Sequence, residues 1–138
     1  MDRYAINELV MWKNARRRKP LIIEGARQVG KTWLVKDFAC KHYDNIAYIN
    51  FEEQIYLRNL FETDFDVTRI ISAIGAAAHQ NCMPGKTLIF LDEIQEAPNG
   101  VTALKYFYEN ASDYHIIAAG SLLGLELHRQ ASFPVGKV

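Results

Sequence analysis

The sequence has only two cysteines in 138 residues, Cys40 and Cys82, far apart and outside any CxxC spacing. That excludes a disulfide framework and a cysteine zinc site, and both are expected to be buried thiols. Excess charge of either sign is also missing. Sixteen basic residues against sixteen acidic ones leave a net charge of zero, so no overall field draws in nucleic acid or an anionic membrane, and nucleic acid is not indicated as a partner. The one dense patch is Arg16-Arg17-Arg18-Lys19. No apolar run approaches the ~18 residues of a membrane span. The N-terminal "MDRYAINELVMWK" carries charges where a signal peptide needs an unbroken apolar stretch, so the expected location is cytoplasmic, with no membrane partner. Internal repeats and low-complexity tracts are absent. The four histidines, His42, His79, His115 and His128, lack metal-ligand spacing and are expected at surface or core positions.

What remains is 49% apolar, enough for one domain with a core and too short for two. Ile6, Leu9, Val10 and Trp12 recur near helical spacing, and Pro20 ends the pattern, which predicts a leading helix within residues 1–19. "LIIE" (21–24) is the continuous apolar run of a strand buried on both faces. A helix is expected from Lys31 to His42, a strand over 45–51, helices over 54–62 and 66–79 with Asp66 as N-cap of the second, and a turn at "MPGK" (83–86). "TLIFLDE" (87–93) reads as the third strand, Val101 to Asn110 as a helix, "YHIIAAGS" (114–121) as the fourth strand and "LLGLELHRQ" (122–130) as helical. Strands alternating with helices predict an α/β chain with a parallel sheet and a ligand at the carboxyl ends of its strands.

Between the first strand and its helix stands Gly25-Ala26-Arg27-Gln28-Val29-Gly30-Lys31-Thr32, which fits G-x-x-x-x-G-K-[ST] at every fixed position. At ordinary residue frequencies a chain of this length shows that pattern by accident about once in 200. Glycines there permit positive φ and close approach of backbone amides to an anion, and the following helix adds its N-terminal dipole. The candidate nucleotide-binding set is Gly25, Ala26, Gln28, Val29, Gly30, Lys31, Thr32 and the adjoining Trp33. Lys31 would bridge the β- and γ-phosphates and Thr32 would ligate Mg²⁺. In "TLIFLDE" an apolar run leads into Asp92 and Glu93 at a strand's carboxyl end, where a carboxylate that holds Mg²⁺ through its water shell belongs. Asp92 takes that metal role beside Thr32. Glu93, on the alternate side of the strand, would polarise the attacking water. Ser121, closing the next strand, reads either as a γ-phosphate sensor or as the N-cap of a following helix. Glu93, Lys31 and Ser121 form the candidate catalytic set.

"RKPLIIEGARQVGKTWLV", "LIFLDEIQEAP" and "AAGSLLG", in that order, resemble the N-terminal ATPase region of the bacterial and archaeal AAA-type ATPases of the AAA+ superfamily whose chains continue into a DUF4143 C-terminal domain. The resemblance spans nearly the whole chain. It implies a three-layer P-loop NTPase fold of the additional-strand class, a mostly parallel sheet of order 5-1-4-3-2, and ATP with Mg²⁺ as ligands. It implies a Walker A loop at Gly25, Gly30, Lys31 and Thr32, a Walker B pair at Asp92 and Glu93, and a sensor at Ser121. One departure is the end, "VGKV", where Lys137 stands in place of the arginine common in the family, so charge is kept without bidentate contact. The chain is expected to stop before a fifth strand, a lid or a C-terminal domain, as a domain over 1–138 incomplete at its C-terminus.

Arg16 to Lys19 reads as a solvated helix end ahead of a nucleic-acid patch. Arg27 and Gln28 divide evenly between solvent and contact with phosphate or a neighbouring subunit. Arg129 is a candidate arginine finger in trans. Tyr4 and Trp12 read as core packing ahead of adenine stacking. Two functional classes stay open: an ATP hydrolase, weak in isolation, driving a conformational or partner-exchange cycle, and a nucleotide-responsive binding module with negligible turnover. Self-association or a C-terminal domain would supply the residues in trans. A GTPase would need an NKxD-like segment and a small-molecule kinase an arginine-rich lid, and neither is present.

Overall fold

The computed structural model describes residues 3–25, 29–121 and 136–137. In chain order they form α1 (Arg3–Lys13), β1 (Leu21–Gly25), α2 (Val29–His42), β2 (Asn45–Asn50), α3 (Val67–Ala78), β3 (Thr87–Asp92), α4 (Gly100–Asn110), β4 (His115–Ser121) and β5 (Gly136–Lys137). The strands make one parallel sheet of order β2-β3-β4-β1-β5, which read from the other edge is the implied 5-1-4-3-2. The expectation that the chain stops before a fifth strand is corrected: Gly136 and Lys137 pair with Leu21 and Ile22 in that fifth position. Two residues carry no hydrophobic period, so "VGKV" gave no strand signal.

Alternate strand residues serve opposite layers. Ile22, Ala47, Ile49, Ile89, Leu91, Ile116 and Ala118 pack with Ile70 and Ile74 of α3 and Val101, Leu104 and Phe107 of α4. Leu21, Ile23, Leu88, Phe90, Ile117 and Ala119 pack with Leu9 of α1 and Val35, Phe38 and Ala39 of α2. Helices therefore cover both faces, and this is why the strands read as unbroken apolar runs. Asp66 caps α3 as expected, its carboxylate accepting from the Thr68 and Arg69 amides.

Several local expectations are corrected. Residues 54–62 hold a 3₁₀ turn (Ile55–Leu57) and further three-residue bonds, such as Leu60 N to Leu57 O, instead of an α-helix. Side chains hold the backbone just ahead of this segment in a turn: Arg58 donates to the carbonyls of Phe51 and Glu52, and Asn50 Oδ1 accepts from the Glu52 and Glu53 amides. The leading helix ends at Lys13, well short of residue 19. Trp12 Nε1 donates to Lys19 O at 2.6 Å, and Arg18 donates to Lys13 O, at the end of α1, and to Ser112 O, just past α4. One guanidinium thus meets carbonyls near two helix C-termini, where cations are favoured. Cys40 is exposed on the solvent side of α2 and Cys82 is half-buried, so neither is a buried thiol. The segment 122–130, expected to be helical, lies outside the described residues.

At the amino ends of the strands, His115 is buried, with Nδ1 2.6 Å from the Tyr43 hydroxyl and its ring edge-on to Trp12. Trp12 is therefore packed at the end of the sheet opposite the glycine loop, whereas Tyr4, expected in the core, is exposed. Burial, reinforced by the charges of Arg18 and Lys13, lowers the His115 imidazole from 6.5 to about 4. Burial also raises the Tyr43 phenol. Between those two histidine values the unfolded chain binds a proton that the folded one refuses, so folding stability is fully present above about 6.5 and falls as pH drops towards about 4. Urea unfolding at pH 7.5 and pH 5 should show wild type losing more stability over that interval than His115→Gln. Equal losses would mean that His115 does not carry the dependence.

Candidate functional site

Parallel pairing brings the carboxyl ends of four strands into one row. Gly25 of β1 lies opposite Ser121 of β4, and Asn50 of β2 opposite Asp92 of β3. Helix α2 rises from the same edge, with Lys31 and Thr32 in its first turn. Gly30 lies in that turn without positive φ, and nothing stands within 4 Å of where its Cβ would be. A side chain there would meet no protein atom, so the backbone of this turn is open to close approach from outside. Lys31 Nζ donates to Gly120 O at 3.2 Å, and Thr32 Oγ1 donates to Asp92 Oδ2 at 2.8 Å.

Asp92 is only 3% exposed, and a buried carboxylate must be met by donors. Three meet it: the hydroxyls of Thr32 and Tyr48, each 2.8 Å from Oδ2, and the Glu93 amide, 3.0 Å from Oδ1. The Asp92 carbonyl also accepts from the Phe51 amide at 3.0 Å, tying the end of β3 to the end of β2. Glu93 departs from the expected geometry. It leaves the strand in a left-handed conformation (φ 53°, ψ 47°) and starts a 3₁₀ turn, Ile94–Glu96. For a non-glycine residue that backbone costs on the order of 1 kcal/mol. The turn, not the pleat of the strand, therefore separates the two acids. Its placement is fixed from beyond, since a Cβ on Gly100 would stand 2.9 Å from Ile94 Cγ1. Glu93 is 9% exposed, and its Oε1 accepts from Gln95 Nε2 at 2.7 Å.

Tyr48 and Asn50 were not singled out in the sequence. Tyr48 carries the Lys36 ammonium 3.9 Å from its ring centroid and receives a hydrogen bond from Asn50 Nδ2. Burial first, then the hydrogen bond to Asp92 and its charge, raise the phenol, so the hydroxyl stays a donor. The signal was present: Ile46, Tyr48 and Asn50 share one face of β2, which turns polar towards the end that adjoins Asp92.

Of the other candidates, Trp33 is exposed just after Thr32. Ala26, Arg27, Gln28 and Arg129 lie outside the described residues, and of Val29 and Lys137 only the backbone is described. Ser121 ends β4 at the edge of the site, and the segment that it would cap lies outside the described residues. Among the described residues no group of three histidine, cysteine or acidic side chains could hold a metal ion. A hard cation with bound water needs no such cluster. The Thr32 hydroxyl and Asp92 carboxylate, already in contact, are the oxygen pair that suits Mg²⁺. No helix among the described residues is long and apolar enough to cross a membrane.

Residues 17–138 match a protein family described as AAA domain. No curated protein matches the chain. Among solved structures the chain is similar to one titled "Structure of C. elegans PCH-2", at 19% identity and a TM-score of 0.47, over 98% of this chain and 40% of that one. The chain thus spans well under half the length of that relative.

Tyr48→Phe deletes one donor to a buried carboxylate without opening a cavity. It should lower folding stability by about 1.5 kcal/mol, the low end for hydrogen bonds to charged groups. A urea midpoint unchanged from wild type would show that the Tyr48 hydroxyl contributes nothing to holding Asp92.

Proposed function

The chain belongs to the AAA domain family, and from that premise we propose that it binds ATP with Mg²⁺ and hydrolyses the γ-phosphate. The observation that carries this reading is the contact between Thr32 Oγ1 and Asp92 Oδ2, 2.8 Å, which joins the glycine-loop helix to the acidic strand end. Residues that are sixty positions apart in sequence meet there, one from each motif.

In this reading the Gly25–Thr32 loop and the start of α2 receive the phosphates, with the helix dipole favouring negative charge. Lys31 sets its ammonium against the β- and γ-phosphates in exchange for the Gly120 carbonyl, which it reaches at 3.2 Å. Thr32 and, through water, Asp92 would hold Mg²⁺, which when bound neutralises phosphate charge. Tyr48 and the Glu93 amide keep the Asp92 carboxylate oriented. Glu93 takes a proton from the attacking water while the water oxygen bonds to the γ-phosphorus. The bond from that phosphorus to the β–γ bridging oxygen breaks, leaving ADP and inorganic phosphate. Ser121, opposite Gly25, would sense the γ-phosphate.

The same reading extends to a single ATPase domain over 1–138 and to a cycle in which nucleotide state changes conformation or partner. Self-association or a following domain of the DUF4143 kind would bring positive charge in trans, and the cytoplasm is the setting. The order of the three motifs supports the likeness to those ATPases.

Two substitutions test the core of it. Lys31→Ala should weaken Mg-ATP about 10- to 100-fold in calorimetry, the loss of one charge-assisted contact to phosphate, with the fold intact. Glu93→Gln should leave Mg-ATP affinity near wild type and lower the hydrolysis rate about 10²- to 10⁴-fold. Unchanged affinity in the first variant would remove the loop from the site. Wild-type turnover in the second would remove Glu93 as the base.

A further inference from the structure

The Glu93 carboxylate takes a hydrogen bond from the Gln95 side chain, Nε2 to Oε1 at 2.7 Å. A carboxylate only accepts, so the NH₂ end of Gln95 must face it, and the amide orientation is thereby fixed. The other end, Gln95 Oε1, is buried without a hydrogen-bond partner. An unmet buried acceptor costs about 1–3 kcal/mol, so a native structure that keeps one calls for a donor supplied in use. Two further buried atoms share that condition, Arg18 Nε and Asp37 Oδ2. The Arg18 guanidinium is bound through its other nitrogens and Asp37 is ion-paired with Lys41. Gln95 alone among the three stands at the site, two residues from Glu93 in the short turn that Gly100 packs against.

We infer that Gln95 orients both the base and the water in ATP hydrolysis: its amide N–H holds Glu93, and its carbonyl oxygen accepts a hydrogen bond from the attacking water. The inference rests on Glu93 being the base. One water O–H bond breaks as its proton passes to Glu93, while the second hydrogen stays on the water oxygen and points to Gln95 Oε1. With both hydrogens so directed, one of the oxygen's lone pairs is aimed at the γ-phosphorus. Such alignment is a rate effect, because it acts on the reacting water and not on the bound nucleotide.

Gln95→Met keeps length and volume and deletes both amide ends. Single-turnover hydrolysis of radiolabelled Mg-ATP should fall about 10²-fold, the scale of a misplaced reacting group, while calorimetric affinity for Mg-ATP stays within about threefold of wild type. In a Glu93→Gln background the same change should cause a clearly smaller further loss, since the base is gone and only alignment of the water remains to be lost. A wild-type rate in Gln95→Met, a parallel loss of affinity and rate, or an additive loss in the double variant would each overturn the inference. If Gln95→Met does not fold, Gln95→Glu, which removes the donor that holds Glu93 and sets a second carboxylate against it, should also lower the rate with affinity kept. A wild-type rate in Gln95→Met beside an inactive Glu93→Gln removes Gln95 alone. Full hydrolysis by Glu93→Gln removes the base and this inference together.

Discussion

A negative charge taken out of water has to be answered from within the fold, and the Asp92 carboxylate is the charge on which this molecule turns. Its donors come from three places: Thr32 of α2, Tyr48 of β2 and the amide that opens the turn after β3. Each donor fixes one neighbour relative to the strand end. The helix is set by Thr32, the adjoining strand by Tyr48, and the departure of the chain towards α4 by the Glu93 amide. Arrangement of the site and satisfaction of a buried ion are consequently the same requirement. A fold that misplaced any of the three would leave the carboxylate short of a donor.

The sheet supplies the edge on which this happens, and what was legible in the sequence follows from how each feature is encoded. Strands such as Leu88–Leu91 were readable because helices cover both faces, which makes burial continuous and local in sequence. The glycine loop and the Asp92-Glu93 pair stood out because fixed residue types recur there at fixed spacing, and the structure brings Thr32 of the one against Asp92 of the other. Tyr48 was not readable as a site residue. Its partner Asp92 belongs to another strand, and register between strands is not written in either one alone. The helix expected over 54–62 failed for a different reason: Asn50 turns the chain at Glu52 and Glu53 just ahead of that segment, and the Arg58 side chain reaches back to the Phe51 and Glu52 carbonyls. The end of α1 was lost in the same way, to Trp12 and Arg18.

Glu93 shows how a strained residue persists beside a well-satisfied one. Its left-handed backbone is unfavourable alone, yet its amide is bound to Asp92, its carboxylate to Gln95, and the turn that follows is packed against Gly100. The strain is held in place by neighbours on both sides in sequence. A carboxylate carried on such a turn has little angular freedom, and the role of base proposed for Glu93 would draw on that restriction.

The position of β1 in the sheet has a consequence for how the molecule comes into being. Leu21 pairs with Ile117, so the second element of the chain waits for nearly the last described strand before its inner edge is covered. Contacts of such separation form late, because the loop between them must close before it yields any pairing. During synthesis β1 leaves the ribosome as an open apolar strand and remains one while β2 and β3 are made. The glycine loop at its end acquires its framework only when β4 arrives. Until then its apolar residues and unpaired edge are open to misassociation.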